Sequence, residues 1–143
     1  MEAKILAPAA VLVLWSIVML VWTGVSRFPA MKKIGRTVTT VPPGGRGSKL
    51  DGILPDPVMW KSHNYTHLME QPTIFYPTVV ILALLGANAG DVAIAWAYVA
   101  LRIVHSIWQA TVNRLPVRFA LFILSTICLI LLAIHAFELT VLA

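Results

Sequence analysis

Four long runs of apolar residues, separated by polar segments, dominate this chain of 143 residues. A bilayer core is crossed by about 20 apolar residues in helical conformation, and each run is close to that length. The pattern therefore predicts a single all-α domain, 1–143, that forms an integral membrane four-helix bundle. The predicted helices cover approximately residues 5–25, 64–87, 92–113 and 117–141.

The longest polar segment, residues 26–62, connects the first two predicted helices. It contains the sequence VPPGGRGSKLDG, whose prolines and glycines oppose regular secondary structure. We therefore predict a loop there. In the second helix Pro72 and Pro77 each remove a backbone donor, so a bend is expected.

Lysine and arginine are unevenly distributed over the connections. Seven lie in the first connection and two, Arg114 and Arg118, in the third, whereas the second has none. The positive-inside rule then predicts that the first and third connections are cytoplasmic and that both termini lie on the opposite side. The net charge of +5 is thus a topology signal rather than a sign of nucleic-acid binding, because no nucleic-acid motif accompanies it. With 59% hydrophobic residues and a mean hydropathy of +0.83, membrane lipids are the expected surroundings.

Polar side chains recur on one face of the second and third predicted helices. Spacings of three and four residues place each set on a single face, in the cytoplasmic half of its helix. An arginine inside a membrane helix costs about 2.5 to 3.5 kcal/mol, so it should face the interior and meet an anion or a carbonyl. Glu70 is the expected protein partner of Arg102. The two sets are His63, His67 and Glu70, and Arg102, His105 and Gln109.

Simpler interpretations exist for the same residues. Arg102 and Glu70 fit a structural ion pair between two helices as well as a ligand-contacting role. Arg27, Arg114 and Arg118 lie at helix ends, where long cationic side chains normally reach lipid headgroups. The histidines and Glu70 match no recognised metal-binding motif and lack a second carboxylate, so we predict no metal site.

Positive charge exceeds negative charge at the predicted cytoplasmic end of the bundle, where Glu70 is accompanied by four arginines, Arg27, Arg102, Arg114 and Arg118. A pocket of this charge, flanked by lipid, suits an anionic and partly amphipathic ligand. If the ligand is a thiol, a nearby arginine stabilises its thiolate, as cationic neighbours do for cysteine. The lipid side would then admit an apolar electrophile.

These residues also carry a family resemblance. The stretches HNYTHLMEQPTIFYP and ALRIVHSIWQATVNRLPVRF resemble the membrane-associated proteins in eicosanoid and glutathione metabolism, the MAPEG family. Arg102 and His105, followed by Arg114 and Arg118, are similar to the third-helix and loop pattern of its prostaglandin synthases, and Glu70 matches the second-helix glutamate. The sequence HLMEQPTIFYP is similar to small bacterial members, which implies a bacterial inner-membrane protein.

The resemblance implies a homotrimer of four-helix subunits that binds glutathione between adjacent subunits near the cytoplasmic face. An arginine at the start of the fourth helix assists the thiolate in this family, and Arg118 is the matching position. Arg114 is the alternative if the alignment shifts around Pro116. The glutathione pocket that the resemblance implies is lined by Arg27, Glu70, Arg102 and His105.

The sequence departs from the family pattern at four positions. Thr66 and His67 stand where the synthases have arginine and asparagine, Gln109 replaces a tyrosine, and Phe119 replaces a serine. These changes remove expected glutathione contacts. Asn64 and His67 are the candidate substitutes as hydrogen-bond donors.

The sequence therefore predicts a glutathione-dependent membrane transferase or peroxidase that conjugates or reduces a hydrophobic electrophile. Arg118 is its predicted catalytic residue. The alternative is a non-catalytic protein of the same fold that binds lipid or serves as an accessory subunit of a membrane complex. Ala93, Ala97 and Ala100 share one face of the third helix and would permit the close helix contacts of a trimer.

Overall fold

The computed structural model describes residues 2–142, and no β-strand occurs among them. Because α2 (Asp56–Leu68) and α3 (Pro72–Leu85) together form one span, four helical spans are long and apolar enough to cross a membrane. The predicted all-α, four-helix membrane architecture is confirmed. The helices are α1 (Glu2–Lys33), α2 (Asp56–Leu68), α3 (Pro72–Leu85), α4 (Ala89–Thr111) and α5 (Leu115–Val141).

Helix α1 is longer than the predicted 5–25 and continues to Lys33, and α2 already begins at Asp56 within the predicted loop. The extra turns of both helices have packing partners in the connection between them. The side chains concerned form a small buried group, the loop cluster, which consists of Met31, Leu50, Leu54 and Met59. Pro57 in the first turn of α2 suits a helix start, because the missing N–H has no intrahelical partner there. Residues 34–55 between the two helices form turns and one short 3₁₀ helix, Gly47–Leu50, as the prolines and glycines predicted, so the predicted loop is shorter than 26–62 but present.

The second span is broken between Leu68 and Pro72, where the sequence predicted only a bend. Pro72 cannot continue the backbone hydrogen bonding, and the side chain of Gln71 ties the break to two other helices. Its Nε2 donates to Thr126 Oγ1 at 2.8 Å, and its Oε1 accepts from the Tyr98 hydroxyl at 3.3 Å. Pro77 lies inside α3 without ending it.

The bundle interior is formed by one face of each helix. On α1 the buried residues Ile5, Leu12 and Met19 recur every seven residues, and Phe75 of α3 stacks on Tyr98 of α4 with ring centres 4.3 Å apart. The remaining faces expose large apolar side chains, as expected for helices surrounded by lipid. The polar side chains of α2 and α4 at one end of the bundle do not belong to this apolar interior, so they can form a site.

Asp91 stabilises the first turn of α4, at the end of this helix that lies away from Gln109. Its backbone N–H donates to Asn88 Oδ1 at 3.0 Å, its Oδ2 accepts from the Asn88 N–H at 2.8 Å, and its Oδ1 lies 2.9 Å from His135 Nδ1 on α5. This is a capping box combined with a contact between α4 and α5. Asp91 therefore links the start of α4 to His135 on α5.

Replacing Asp91 with alanine is expected to lower the free energy of unfolding by about 2 kcal/mol, because the hydrogen bond from the Asn88 N–H to the carboxylate and the contact with His135 are both lost. Thermal unfolding in detergent measures the change. Glu138→Gln, at an exposed position on α5, is the matched control and should have little effect. An Asp91→Ala protein as stable as the Glu138→Gln protein would contradict this account.

Candidate functional site

An open cavity of about 230 Å³ lies where the polar ends of α2, α4 and α5 meet. It combines polar groups from α2 and α4 with Arg118 and an apolar wall from α5. Three residues predicted for the site, His67, His105 and Arg118, line the cavity together, and so do Gln109 and Phe119, two of the positions that depart from the family pattern. The complete lining is His67, His105, Gln109, Leu115, Arg118, Phe119 and Phe122.

Two histidines form one side of the cavity. The rings of His67 and His105 have centres 4.9 Å apart, and His67 also lies 5.7 Å from the ring of Phe122. His67 Nδ1 is 3.2 Å from Glu70 Oε2, whereas its Nε2 is buried without a hydrogen-bond partner in the described residues. Gln109 Oε1 is also buried without a hydrogen-bond partner in the described residues. Two residues that line the cavity thus have polar atoms that are buried and that the described residues leave unpaired.

Arg102 lies one turn before His105 on α4 and is completely buried, with 0% exposure. None of its guanidinium nitrogens has a hydrogen-bond partner among the described residues, and Cζ lies 6.0 Å from the ring centre of Phe122. A buried cation without a partner is costly. The charge of Arg102 is therefore left without a counter-charge among the described side chains.

The expected ion pair between Arg102 and Glu70 is absent from the structure. The side chain of Glu70 is 64% exposed and contacts His67 instead. Glu70 lies in the break of the second span, between the end of α2 and the start of α3. The structural-clamp interpretation of this pair is therefore wrong for the single chain.

The two candidate arginines of the α4–α5 turn differ in position. Arg118 lines the cavity, and its Nη1 donates to Asn113 Oδ1 at 2.6 Å. Arg114 is exposed, and its backbone carbonyl accepts from Trp108 Nε1 at 3.0 Å. Within one chain, only Arg118 can act on a ligand in this cavity. The contact with Asn113 was not foreseen from the sequence.

Arg27 and Asn64 lie apart from the cavity in the single chain. Arg27 donates to Ser62 and packs closely on Gly47, where an added Cβ would lie 2.7 Å from Nη1. Asn64 is fully buried, and its Nδ2 donates to Ser106 Oγ, which also accepts from Trp15 Nε1 at 2.8 Å. Both residues hold helices and the loop together. Their predicted contact with glutathione stays a prediction.

A second groove of about 240 Å³ lies between α1 and the second span and is almost entirely apolar. Among the described residues, no group of three or more histidine, cysteine, aspartate or glutamate side chains is arranged to hold a metal ion. The candidate chemistry is therefore concentrated in the cavity at the start of α5. The groove is lined by Val13, Ser16, Ile17, Leu20, Tyr65, Met69 and Tyr76.

Comparison with known proteins gives one finding. The sequence model of the MAPEG family matches residues 5–137, which is nearly the whole chain. No curated protein and no solved structure matches significantly.

Proposed function

Because this chain belongs to the MAPEG family, we propose that it is a glutathione-dependent membrane transferase or peroxidase that acts on a hydrophobic electrophile. The family comprises membrane proteins of eicosanoid and glutathione metabolism, and the four apolar spans make this an integral membrane protein. The observation that supports the proposal most directly is the buried, unpaired guanidinium of Arg102 beside the cavity.

The unpaired atoms around the cavity fit the functional groups of glutathione. The guanidinium of Arg102 can donate charge-assisted hydrogen bonds to a carboxylate, of which glutathione has two. Gln109 Oε1 can accept from an amide N–H or the ammonium group. A ligand with several donors and acceptors therefore satisfies atoms that the protein leaves unsatisfied.

When bound, glutathione would supply a nucleophilic sulfur for addition to an electrophilic carbon or for reduction of a hydroperoxide. Arg118 would stabilise the negative charge on that sulfur, because its guanidinium lines the cavity and forms no ion pair with the described acidic side chains. The proton of the thiol leaves to solvent through the open side of the cavity.

The apolar wall of the cavity accounts for a hydrophobic second substrate. Leu115, Phe119 and Phe122 belong to α5, and the large side chains of Leu115 and Phe119 are exposed on a membrane-spanning helix. An apolar electrophile dissolved in the bilayer can approach the sulfur along these side chains. Phe119, where the synthases have serine, makes this wall more apolar at the cost of a hydrogen-bonding group.

We extend the proposal to a homotrimer in a bacterial inner membrane, with the cavity on the cytoplasmic side and both termini on the other. Exposed Ala93, Ala97 and Ala100 give α4 a face that a neighbouring subunit can approach closely. In such an assembly Arg27, Asn64 and Arg114 would contact glutathione bound between subunits.

Glutathione binding to the detergent-purified protein tests the proposal. Glutathione at 100 times its dissociation constant is expected to stabilise the fold by about 2.7 kcal/mol, seen as a rise in the thermal unfolding temperature. It should also give the ultraviolet absorbance of a thiolate, whereas S-methylglutathione should stabilise without that signal. If millimolar glutathione neither stabilises a folded, oligomeric protein nor gives a thiolate signal, the enzyme proposal fails. Co-purifying lipids and partner subunits should then be identified, as the lipid-binding or accessory alternative requires.

A further inference from the structure

The turn between α4 and α5 contains a residue in the left-handed conformation. Asn113 has φ 53°, and no other described residue except glycine has a positive φ. The N–H groups of Val112 and Asn113 both donate to the Trp108 carbonyl, at 2.9 and 2.8 Å, which closes the end of α4. Glycine would adopt this conformation at less cost than asparagine. Asparagine is the other residue commonly found in this conformation at a helix end, so a role for its side chain depends on the contacts that the side chain makes.

The side chain of Asn113 has a contact of its own. Its Oδ1 accepts from Arg118 Nη1 at 2.6 Å, across the start of α5. Arg118 is half-buried and lines the cavity beside Gln109 and His105. A long arginine side chain loses about 1.5 to 2 kcal/mol of rotamer entropy when it is fixed, so an anchor that fixes it in advance lowers the cost of using it.

The chemical nature of the anchor is also significant. A carboxylate at this distance would hold the guanidinium equally well but would form an ion pair and compete with an anionic ligand. The carboxamide of Asn113 is neutral, and none of the ion pairs among the described side chains involves Arg118. The positive charge of Arg118 is therefore oriented without being neutralised.

We propose that Asn113 is a positioning residue, which holds the guanidinium of Arg118 at the cavity and leaves its charge available to an anionic sulfur. The role rests on the proposed function, because it acts on the thiol site. Asn113 itself does not touch the substrate.

Two variants separate the side chain from the backbone. Asn113→Gly retains the left-handed turn and removes the anchor, and is expected to lower the thiolate signal and the affinity for glutathione about tenfold. Asn113→Asp retains shape and anchor but adds a charge, and should raise the pH of half-maximal thiolate formation by about one unit. Both proteins should unfold within a few degrees of the wild type.

The contact itself is followed by nitrogen NMR of the Arg118 side chain, which does not depend on glutathione. The Nη signals should be resolved in the wild type and averaged in Asn113→Gly. A wild-type thiolate signal that both variants retain unchanged would overturn the role of Asn113 and leave the proposed function standing. A wild type that gives no thiolate signal would overturn both, even if the NMR contact is present.

Discussion

Arg118→Ala is expected to reduce thiolate formation on bound glutathione, and turnover with it, on the order of 100-fold. Arg118 is the cation at the cavity surface that no acidic group among the described side chains neutralises, so its removal takes away the charge that favours the anionic sulfur. Thermal stability should change little, because the guanidinium makes one side-chain hydrogen bond, to Asn113. Thiolate absorbance and steady-state kinetics with a soluble electrophile measure the effect.

Arg114→Ala is the matched control, since it removes the same side chain from the same turn at an exposed position. It should retain most of the thiolate signal. The opposite result, with Arg114→Ala inactive and Arg118→Ala active, would move the catalytic role to Arg114. Wild-type activity in both variants would exclude a catalytic role for either arginine.

Arg102→Met is expected to have effects of opposite sign on stability and on binding. The substitution retains much of the side-chain volume but removes a buried, unpaired charge, so the ligand-free protein should gain about 2 kcal/mol in free energy of unfolding. Glutathione should no longer stabilise the variant, because the guanidinium that would bind a glutathione carboxylate has been removed. Thermal unfolding with and without glutathione measures both effects in one experiment.

Leu101→Met, at the neighbouring half-buried position, is the control for introducing methionine into α4. Leu101→Met should change neither the free energy of unfolding nor the stabilisation by glutathione appreciably. An Arg102→Met protein that fails to fold, while Leu101→Met folds normally, would mean that Arg102 has a structural partner, for example in an adjacent subunit.

The spans could be predicted from the sequence because lipid leaves few options. An apolar run of about 20 residues must satisfy its backbone internally, and a helix does so. The family resemblance, carried by the segments around Glu70 and between Arg102 and Arg118, is confirmed by the family match. The burial of Arg102 followed from the same reasoning, because a cation in a membrane helix avoids lipid.

The details that failed depend on tertiary contacts. Pro72 predicted a bend, but the complete break also involves Gln71 and its partners on α4 and α5, which no local pattern reveals. Glu70 lies in that break and contacts His67 rather than Arg102, so the predicted ion pair was wrong. The bond between Asn113 and Arg118 joins residues five apart across a turn, outside the spacings of three and four that helix periodicity covers.

The loop cluster obeys different thermodynamics from the rest of the molecule. Helix α1 has 32 residues, or about 48 Å at 1.5 Å per residue, which exceeds a hydrocarbon thickness of about 30 Å. The lysines and arginines of residues 26–62 favour water around its last turns, where Met31 lies. Burial of Met31, Leu50, Leu54 and Met59 therefore gains from the hydrophobic effect, which packing between helices in lipid does not. This effect weakens on cooling because apolar hydration has a large heat capacity. We therefore expect the connection that covers Arg27 to lose stability on cooling before the membrane-spanning helices do.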